Sequence, residues 1–333
     1  MQSARVVKFL LSVSILGILI LSADAGAGKW TIVRNDDFVR KDGVEGDLRD
    51  VRCSDENHVW AVGARGLLLH TADGGKTWTK KGIETENPTD FLRIYFWNAN
   101  IGFITGTQPG GFRERSVLFM TKDGGNTWEL KNPGVSSRLT GISMIDDKIG
   151  FTVGTDNTFS KTSDGGETWE GSSERVRTGE TRHNLSDISF GSPTHGWVVG
   201  SFGSIYHTSD GGAGWENQHS GVDNNLEAVH FVDEKTGWIA GQEGVILYTT
   251  DGGQTWTQQQ TDSHENLVDI AFVDKQIGWA VGDFGTILHT RDGGQTWIRE
   301  NTGTSTNLLA VDAANKDHCW VVGEWGFILR YEQ

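Results

Sequence analysis

The chain repeats itself. Asp-Gly-Gly-x-Thr-Trp occurs at Asp73–Trp78, Asp123–Trp128, Asp164–Trp169, Asp251–Trp256 and Asp292–Trp297, and a looser Asp-Gly-Gly-Ala-Gly-Trp spans Asp210–Trp215. A second element, an aromatic followed by two small or β-branched residues and Gly, begins at Trp60, Phe103, Phe151, Trp197, Trp238, Trp279 and Trp320. In all seven units an apolar residue (Leu48, Phe91, Leu139, Leu185, Leu226, Leu267, Leu308) precedes that aromatic by 12 positions. The aromatic precedes the hexad Asp by 13 in five of six cases, and the basic period is 41 residues. Each period holds four short apolar runs separated by turn residues, and their alternation and β-branched content read as strands. Four strands repeated about every 40–45 residues define a propeller blade. The expected fold is all-β: a seven-bladed β-propeller with four-stranded blades.

The hexad residues suit a turn. An Asp at a tight turn accepts hydrogen bonds from the backbone just after it. Two Gly allow positive φ where the chain reverses between the third and fourth strands. The Trp then starts the fourth strand, and burying about 200 Å² of it contributes roughly 5 kcal/mol before opposing terms. The pairs Asp73 and Trp78, Asp123 and Trp128, Asp164 and Trp169, Asp210 and Trp215, Asp251 and Trp256, and Asp292 and Trp297 are therefore read as structural boxes. One Asp per blade, each in its own turn, cannot converge on one substrate, so neither catalysis nor calcium binding is assigned to them.

Trp320 plus 13 falls on residue 333, so the last unit lacks a hexad and a fourth strand. Gly28-Lys-Trp-Thr-Ile-Val resembles the end of a hexad with its strand, as in Gly75-Lys-Thr-Trp-Thr-Lys-Lys. Trp30 is expected to complete the last blade, so that the N-terminal strand closes the ring and removes an open edge.

The first residues read as a processing signal. Arg5 and Lys8 precede a 13-residue apolar run, Phe9–Leu21, that is short for a membrane span, and Ala23-x-Ala25 offers a cleavage site. The expected domains are a signal peptide, 1–25, and the propeller, 26–333. Export to a periplasm, a thylakoid-type lumen or the outside is expected, with no direct membrane insertion after cleavage. No Cys follows the apolar run, so a lipid anchor is not expected. A net charge of −15 argues against nucleic-acid binding, which wants a basic surface. Cys53 and Cys319, in the first and last units, leave either a disulfide or two buried thiols open. Ten His are scattered without metal-ligand spacing, and no phosphate-cradling loop occurs. Cofactors and metals are therefore expected to be none, and a monomer is expected.

With Gly-Trp-x-Val-Gly-x-x-Gly-x-Ile-Leu-x-Thr before Asp-Gly-Gly-x-Thr-Trp, the chain resembles the Asp-box (BNR-repeat) propellers. Within them it is most similar to the photosystem II stability/assembly factor family, over Trp30–Arg330. The resemblance implies a non-enzymatic scaffold outside the cytoplasm whose partner is a protein, such as a membrane-protein assembly intermediate. Sialidases and xyloglucan-cleaving hydrolases also carry such boxes, and an Asp-box glycoside hydrolase or carbohydrate-binding propeller is the alternative. The sialidase pattern needs an Arg-Ile-Pro segment, which is absent, and only four Tyr occur.

Departures from the repeat spacing place insertions in residues 107–116, 171–184, 79–90 and 31–47. All fall on the face opposite the hexads, and repeat proteins tend to vary loops on the binding face. Arg113, Arg115, Arg138, Arg175, Arg177 and Arg182 cluster there on an otherwise acidic protein. Arg forks suit a carboxylate-bearing partner segment, so these six are the expected partner-binding residues. Phe202, Phe284 and Trp325 recur in short loops of the same face and are expected to pack within their blades.

Overall fold

The structure, a computed structural model, describes residues 28–33, 46–110, 113–171 and 183–332. Its strands form seven four-stranded antiparallel sheets. Six are contiguous in sequence: blades 1 to 6, with innermost strands Leu48–Cys53, Asp90–Phe96, Leu139–Met144, Leu185–Phe190, Leu226–Phe231 and Leu267–Phe272. Blade 7 runs Leu308–Asn315, His318–Gly323 and Ile328–Glu332, and its fourth strand is Lys29–Val33 from the other end of the chain. That strand pairs in register from Lys29 with Glu332 to Val33 with Ile328. Trp30 sits on Tyr331, ring centroids 5.2 Å apart. Ring closure therefore pairs an edge that would otherwise be open.

The second-strand aromatic is the anchor of each blade. Trp197, Trp238, Trp279, Trp320 and Phe103 are fully buried. Each box then explains its own spelling. In blade 1, Thr77 donates its N–H (2.9 Å) and its hydroxyl (2.6 Å) to the Asp73 carboxylate. Thr71 donates its hydroxyl to the same carboxylate at 2.8 Å and accepts the Gly75 N–H at 2.9 Å. The same pattern repeats at Asp123, Asp164, Asp251 and Asp292. At Asp210 a Gly replaces the second Thr, and only its N–H remains as donor. The unit is thus Thr-x-Asp-Gly-Gly-x-Thr-Trp, two residues longer than the hexad that defines it in sequence. The second Gly of each box has positive φ; Gly253 and Gly294 face Gln218 and Gln259, and in the other four boxes it lies on the aromatic of the preceding blade: Gly75 on Trp320, Gly125 on Trp60, Gly166 on Phe103 and Gly212 on Phe151. A side chain there would collide with the neighbouring anchor.

Two readings need correction. The fourth strand begins one residue after the box Trp, at Thr79, Glu129 and Thr257 for example. Trp78, Trp169 and Trp297 are buried, whereas Trp128, Trp215 and Trp256 are half-buried, so the box Trp contribution is uneven around the ring. Cys319 is buried, Cys53 half-buried, and both are free thiols.

Candidate partner-binding face

Every innermost strand carries a β-bulge just after its leading apolar residue. The register shifts between Leu48 and Asp50, Phe91 and Arg93, Leu139 and Gly141, Leu185 and Asp187, Leu226 and Ala228, Leu267 and Asp269, and Leu308 and Ala310. A bulge re-aims the extra residue. Here the seven bulged residues, Arg49, Leu92, Thr140, Ser186, Glu227, Val268 and Leu309, all line one cavity of about 380 Å³ at the mouth of the central channel. Arg93, Arg138 and Asn184 line it too. The mouth is therefore amphipathic, with Arg49, Arg93 and Arg138 against Leu92, Val268 and Leu309.

Deeper in the channel, carboxylates tie neighbouring blades together at four of the seven seams. Asp50 accepts the Ile94 N–H (2.7 Å), Asp187 the Val229 N–H (3.1 Å) and Asp269 the Val311 N–H (2.8 Å). Asp312 accepts the Cys53 N–H at 2.7 Å, which joins blade 7 to blade 1. Arg93 donates to the Thr140 carbonyl at 2.7 Å and lies 3.9 Å from Asp50. Arg52 lies 3.6 Å from Asp312. Burial pushes the Asp187 and Asp312 carboxyls up and takes Asp269 to about 7, with Arg93 and Arg52 acting in the opposite sense. Burial works against the charge on Arg52, but Asp312 and Asp50 more than offset it. These acids are clamps engaged with backbone donors, and their spacing around the ring serves blade contacts.

Of the six expected Arg residues, the structure brings one to the channel mouth. Arg138 lines it beside Arg49, and its guanidinium is held below its usual pKa by partial burial and then by Arg49. Arg115 is exposed and lines a separate groove with Gln108 and Lys131. It was expected on a loop, but the insertion lengthens the blade 2 hairpin instead, with strands Gly102–Gly110 and Arg113–Thr121. Arg115 pairs with Gln108, and Arg113 with Gly110. Arg175, Arg177 and Arg182 lie outside the described residues. Arg49 and Arg93 escaped the sequence reading because they sit on a core strand, where alternation predicts burial. The signal was present as cations one and two places after the leading residue in neighbouring units.

A second correction concerns the short loops of this face. Phe202, Phe284 and Trp325 do not pack within their blades but stand 68%, 61% and 61% exposed. On the opposite face, Asp73, Asp123 and Asp164 are held near a pKa of about 2, first by the hydroxyl of the following Thr.

The sequence model of the family described as "Photosynthesis system II assembly factor YCF48" matches residues 22–114, 174–265 and 258–332. The chain belongs to this family. Among the family's curated proteins it is similar to photosystem II assembly lipoprotein Ycf48 of Synechococcus sp. (strain CC9902), 30% identical over 129 residues, 37% of this chain and 36% of that protein. The matched stretch thus spans about a third of that relative's own length. Among solved structures, YCF48 from Cyanidioschyzon merolae superposes with a TM-score of 0.72 at 20% identity, covering 91% of this chain and 98% of that one. A structure titled "YCF48 bound to D1 peptide" gives 0.71 at 21% identity, covering 91% and 97%. At that identity the likeness shows the shared seven-bladed fold. The stretch of this chain that the YCF48 model leaves unmatched, 115–173, carries Arg115 and Arg138, whereas Arg49 and Arg93 lie in matched sequence.

Proposed function

We propose that the chain is a non-enzymatic assembly factor that holds a protein partner on the face opposite the Asp boxes, with the channel mouth as its centre. The observation that carries this reading is the convergence of Arg49, Arg93 and Arg138 on one amphipathic cavity. Such a cavity suits an extended segment with carboxylates and apolar side chains. Arg forks supply bidentate pairing that Lys does not reproduce. Family membership supports a photosystem II reaction-centre polypeptide as the partner, and the D1 peptide bound by the YCF48 neighbour supports a peptide mode of recognition. Arg115, on the blade 2 hairpin, is proposed to extend the docking area beyond the mouth, and Arg113, Arg175, Arg177 and Arg182 are kept as candidate partner contacts on their sequence positions alone. The channel carboxylates hold backbone N–H groups of the next blade, which favours scaffold over hydrolase. We further propose that residues 1–25 are removed on export, that the mature chain works in a periplasm or lumen, and that it does so as a monomer.

The test is a titration of the purified chain with a D1 peptide at low and high salt. Saturable binding that weakens with salt is expected, because exposed charges act through screened attraction. Binding that is unaffected by salt, or absent, contradicts the proposal. Turnover of β-glucans that is abolished by changing one channel carboxylate would establish the hydrolase alternative instead.

A further inference from the structure

Six of the seven blades join their second and third strands by a three-residue turn whose middle residue has left-handed φ: Arg65 (58°), Asp156 (58°), Phe202 (57°), Glu243 (58°), Phe284 (54°) and Trp325 (61°). That conformation is unfavourable for any residue with a Cβ and uncommon for bulky ones. Each is locked from the next blade. Asn225 accepts the Phe202 N–H (3.1 Å), Asn266 the Glu243 N–H (3.2 Å), Asn307 the Phe284 N–H (2.9 Å) and Asp47 the Trp325 N–H (3.1 Å). The same amides reach sideways: Asn266 donates to Asp283 at 2.9 Å and Asn307 to Glu324 at 3.1 Å.

The result on blades 5 to 7 is a continuous belt. Glu243, Asn266, Asp283, Phe284, Asn307, Glu324, Trp325 and Asp47 follow one another through these bonds. Two of its members are large aromatics that bury little of their surface at home. A position with φ near +55° and no side-chain packing favours Gly or Asn. Phe284 and Trp325 stay more than half exposed there and so contribute little to the fold. Among the described residues, Arg299 lines a groove with Phe284 and is engaged with Thr286 at 2.9 Å.

We infer that this belt is a second docking surface, built for an extended protein segment carrying Lys or Arg. Phe284 and Trp325 offer ring faces, and Glu243, Asp283 and Glu324 supply the opposite charge beside them. A Lys or Arg side chain gains from both at once, its stem on the ring and its head at a carboxylate. Because the turns are already fixed, little ordering is lost on binding. The charge complementarity selects a cationic segment over the carboxylate-bearing one proposed for the channel mouth. One face thereby presents two sectors of opposite preference. An aromatic beside carboxylates can also hold a neutral sugar, and the belt's net negative charge is what favours the peptide.

The experiment titrates the full chain with a mixed Lys/Arg-Ala peptide, an isosteric Gln-Ala peptide and a cello-oligosaccharide. The cationic peptide is expected to bind, at least tenfold more tightly than the Gln peptide, with affinity falling as salt rises. Phe284→Gly and Trp325→Gly are each expected to weaken it about fivefold to tenfold while keeping or raising the melting temperature. Trp325→Phe is expected to retain most of the affinity. Charge reversal at Arg49 should leave cationic-peptide binding intact, so this result stands apart from the fate of the D1-peptide titration. Equal binding of the Gln peptide, or oligosaccharide binding with the same Trp325 dependence, overturns the proposal. So does a several-degree loss of melting temperature in either Gly variant, since that makes the ring a packing element. Cationic-peptide binding that ignores both Gly substitutions overturns it as well.

Discussion

Gly75 lies against Trp320 across the seam between blade 1 and blade 7, where a Cβ would stand 2.9 Å from the indole Nε1. Its φ of 84° is in the left-handed region. Gly75→Ala thus meets two penalties, a backbone conformation that costs about 1–2 kcal/mol and an overpacked contact that costs about 1–3 kcal/mol. A loss of about 2–5 kcal/mol is expected in denaturant unfolding. Gly82→Ala, with nothing within 4 Å of its Cβ and no positive φ, is the control and should change little.

The closing strand gives a second prediction. Removing residues 28–33 strips the Trp30–Tyr331 contact and leaves Ile328–Glu332 as an open edge. Trp30 is half-buried, so the loss falls at the lower end of the range of about 3–5 kcal/mol for Trp truncations. Thermal unfolding of the shortened chain should show a clear drop and a greater tendency to associate through the edge. Unchanged behaviour would mean the ring does not depend on its closure.

The boxes predict non-additivity. Asp251 accepts from the Thr255 N–H (3.0 Å), the Thr255 hydroxyl (2.6 Å) and the Thr249 hydroxyl (2.8 Å). Asp251→Ala and Thr255→Val are each expected to cost about 1–2 kcal/mol. Together they should cost less than the total of the two, because they share one bond. A double mutant that adds fully would place the two residues in separate roles.

Asp269 makes a prediction about pH. Its carboxyl is raised to about 7 in the folded chain by burial, against 3.8 for the free side chain. The folded state therefore binds the proton more tightly than the unfolded state. The stability this contributes is complete below about pH 4 and is lost as pH rises to about 7. Half-buried His70 and His230, lowered to about 4 mainly by desolvation, act the other way over part of that range. Comparison with Asp269→Asn removes their effect. Wild type should lose stability relative to the variant as pH goes from about 4 to about 7, and a constant difference contradicts the assignment.

The ring, the blade count and the closing strand were legible because they rest on positions that repeat, and a repeat displays its own register. The box was legible as a turn, but Thr71 and its equivalents were not singled out, since a Thr ending a strand is ordinary until its hydroxyl is seen bonded to both Asp73 and Gly75. The channel was harder. Its fifth-residue positions hold Arg52, Tyr95, Ser143, Ser189, His230, Ala271 and Asp312, with no consensus to read. Contacts such as Asp312 with Cys53, 259 residues apart, arise from ring closure and leave no local pattern. Phe202, Phe284 and Trp325 were misread because aromatics in short loops usually pack, and only the left-handed backbone turns these outward.

The central claim is that the channel mouth is where a partner is held, and charge reversal at Arg49 and Arg138 tests it most directly. Both side chains line the cavity; Arg49 also pairs with Asp90 at 3.2 Å across the seam between blades 1 and 2, so its reversal carries a modest stability cost, whereas Arg93 anchors the fold through Thr140. Calorimetric titration of a D1 peptide into wild type and the Arg49→Glu/Arg138→Glu double variant, at matched salt, gives the answer. Thirtyfold or greater weakening with only a small drop in melting temperature, from the lost Arg49–Asp90 pair, is the predicted result, consistent with about 2 kcal/mol or more for loss and repulsion of close charge pairs. Equal affinity of the two proteins would contradict the account.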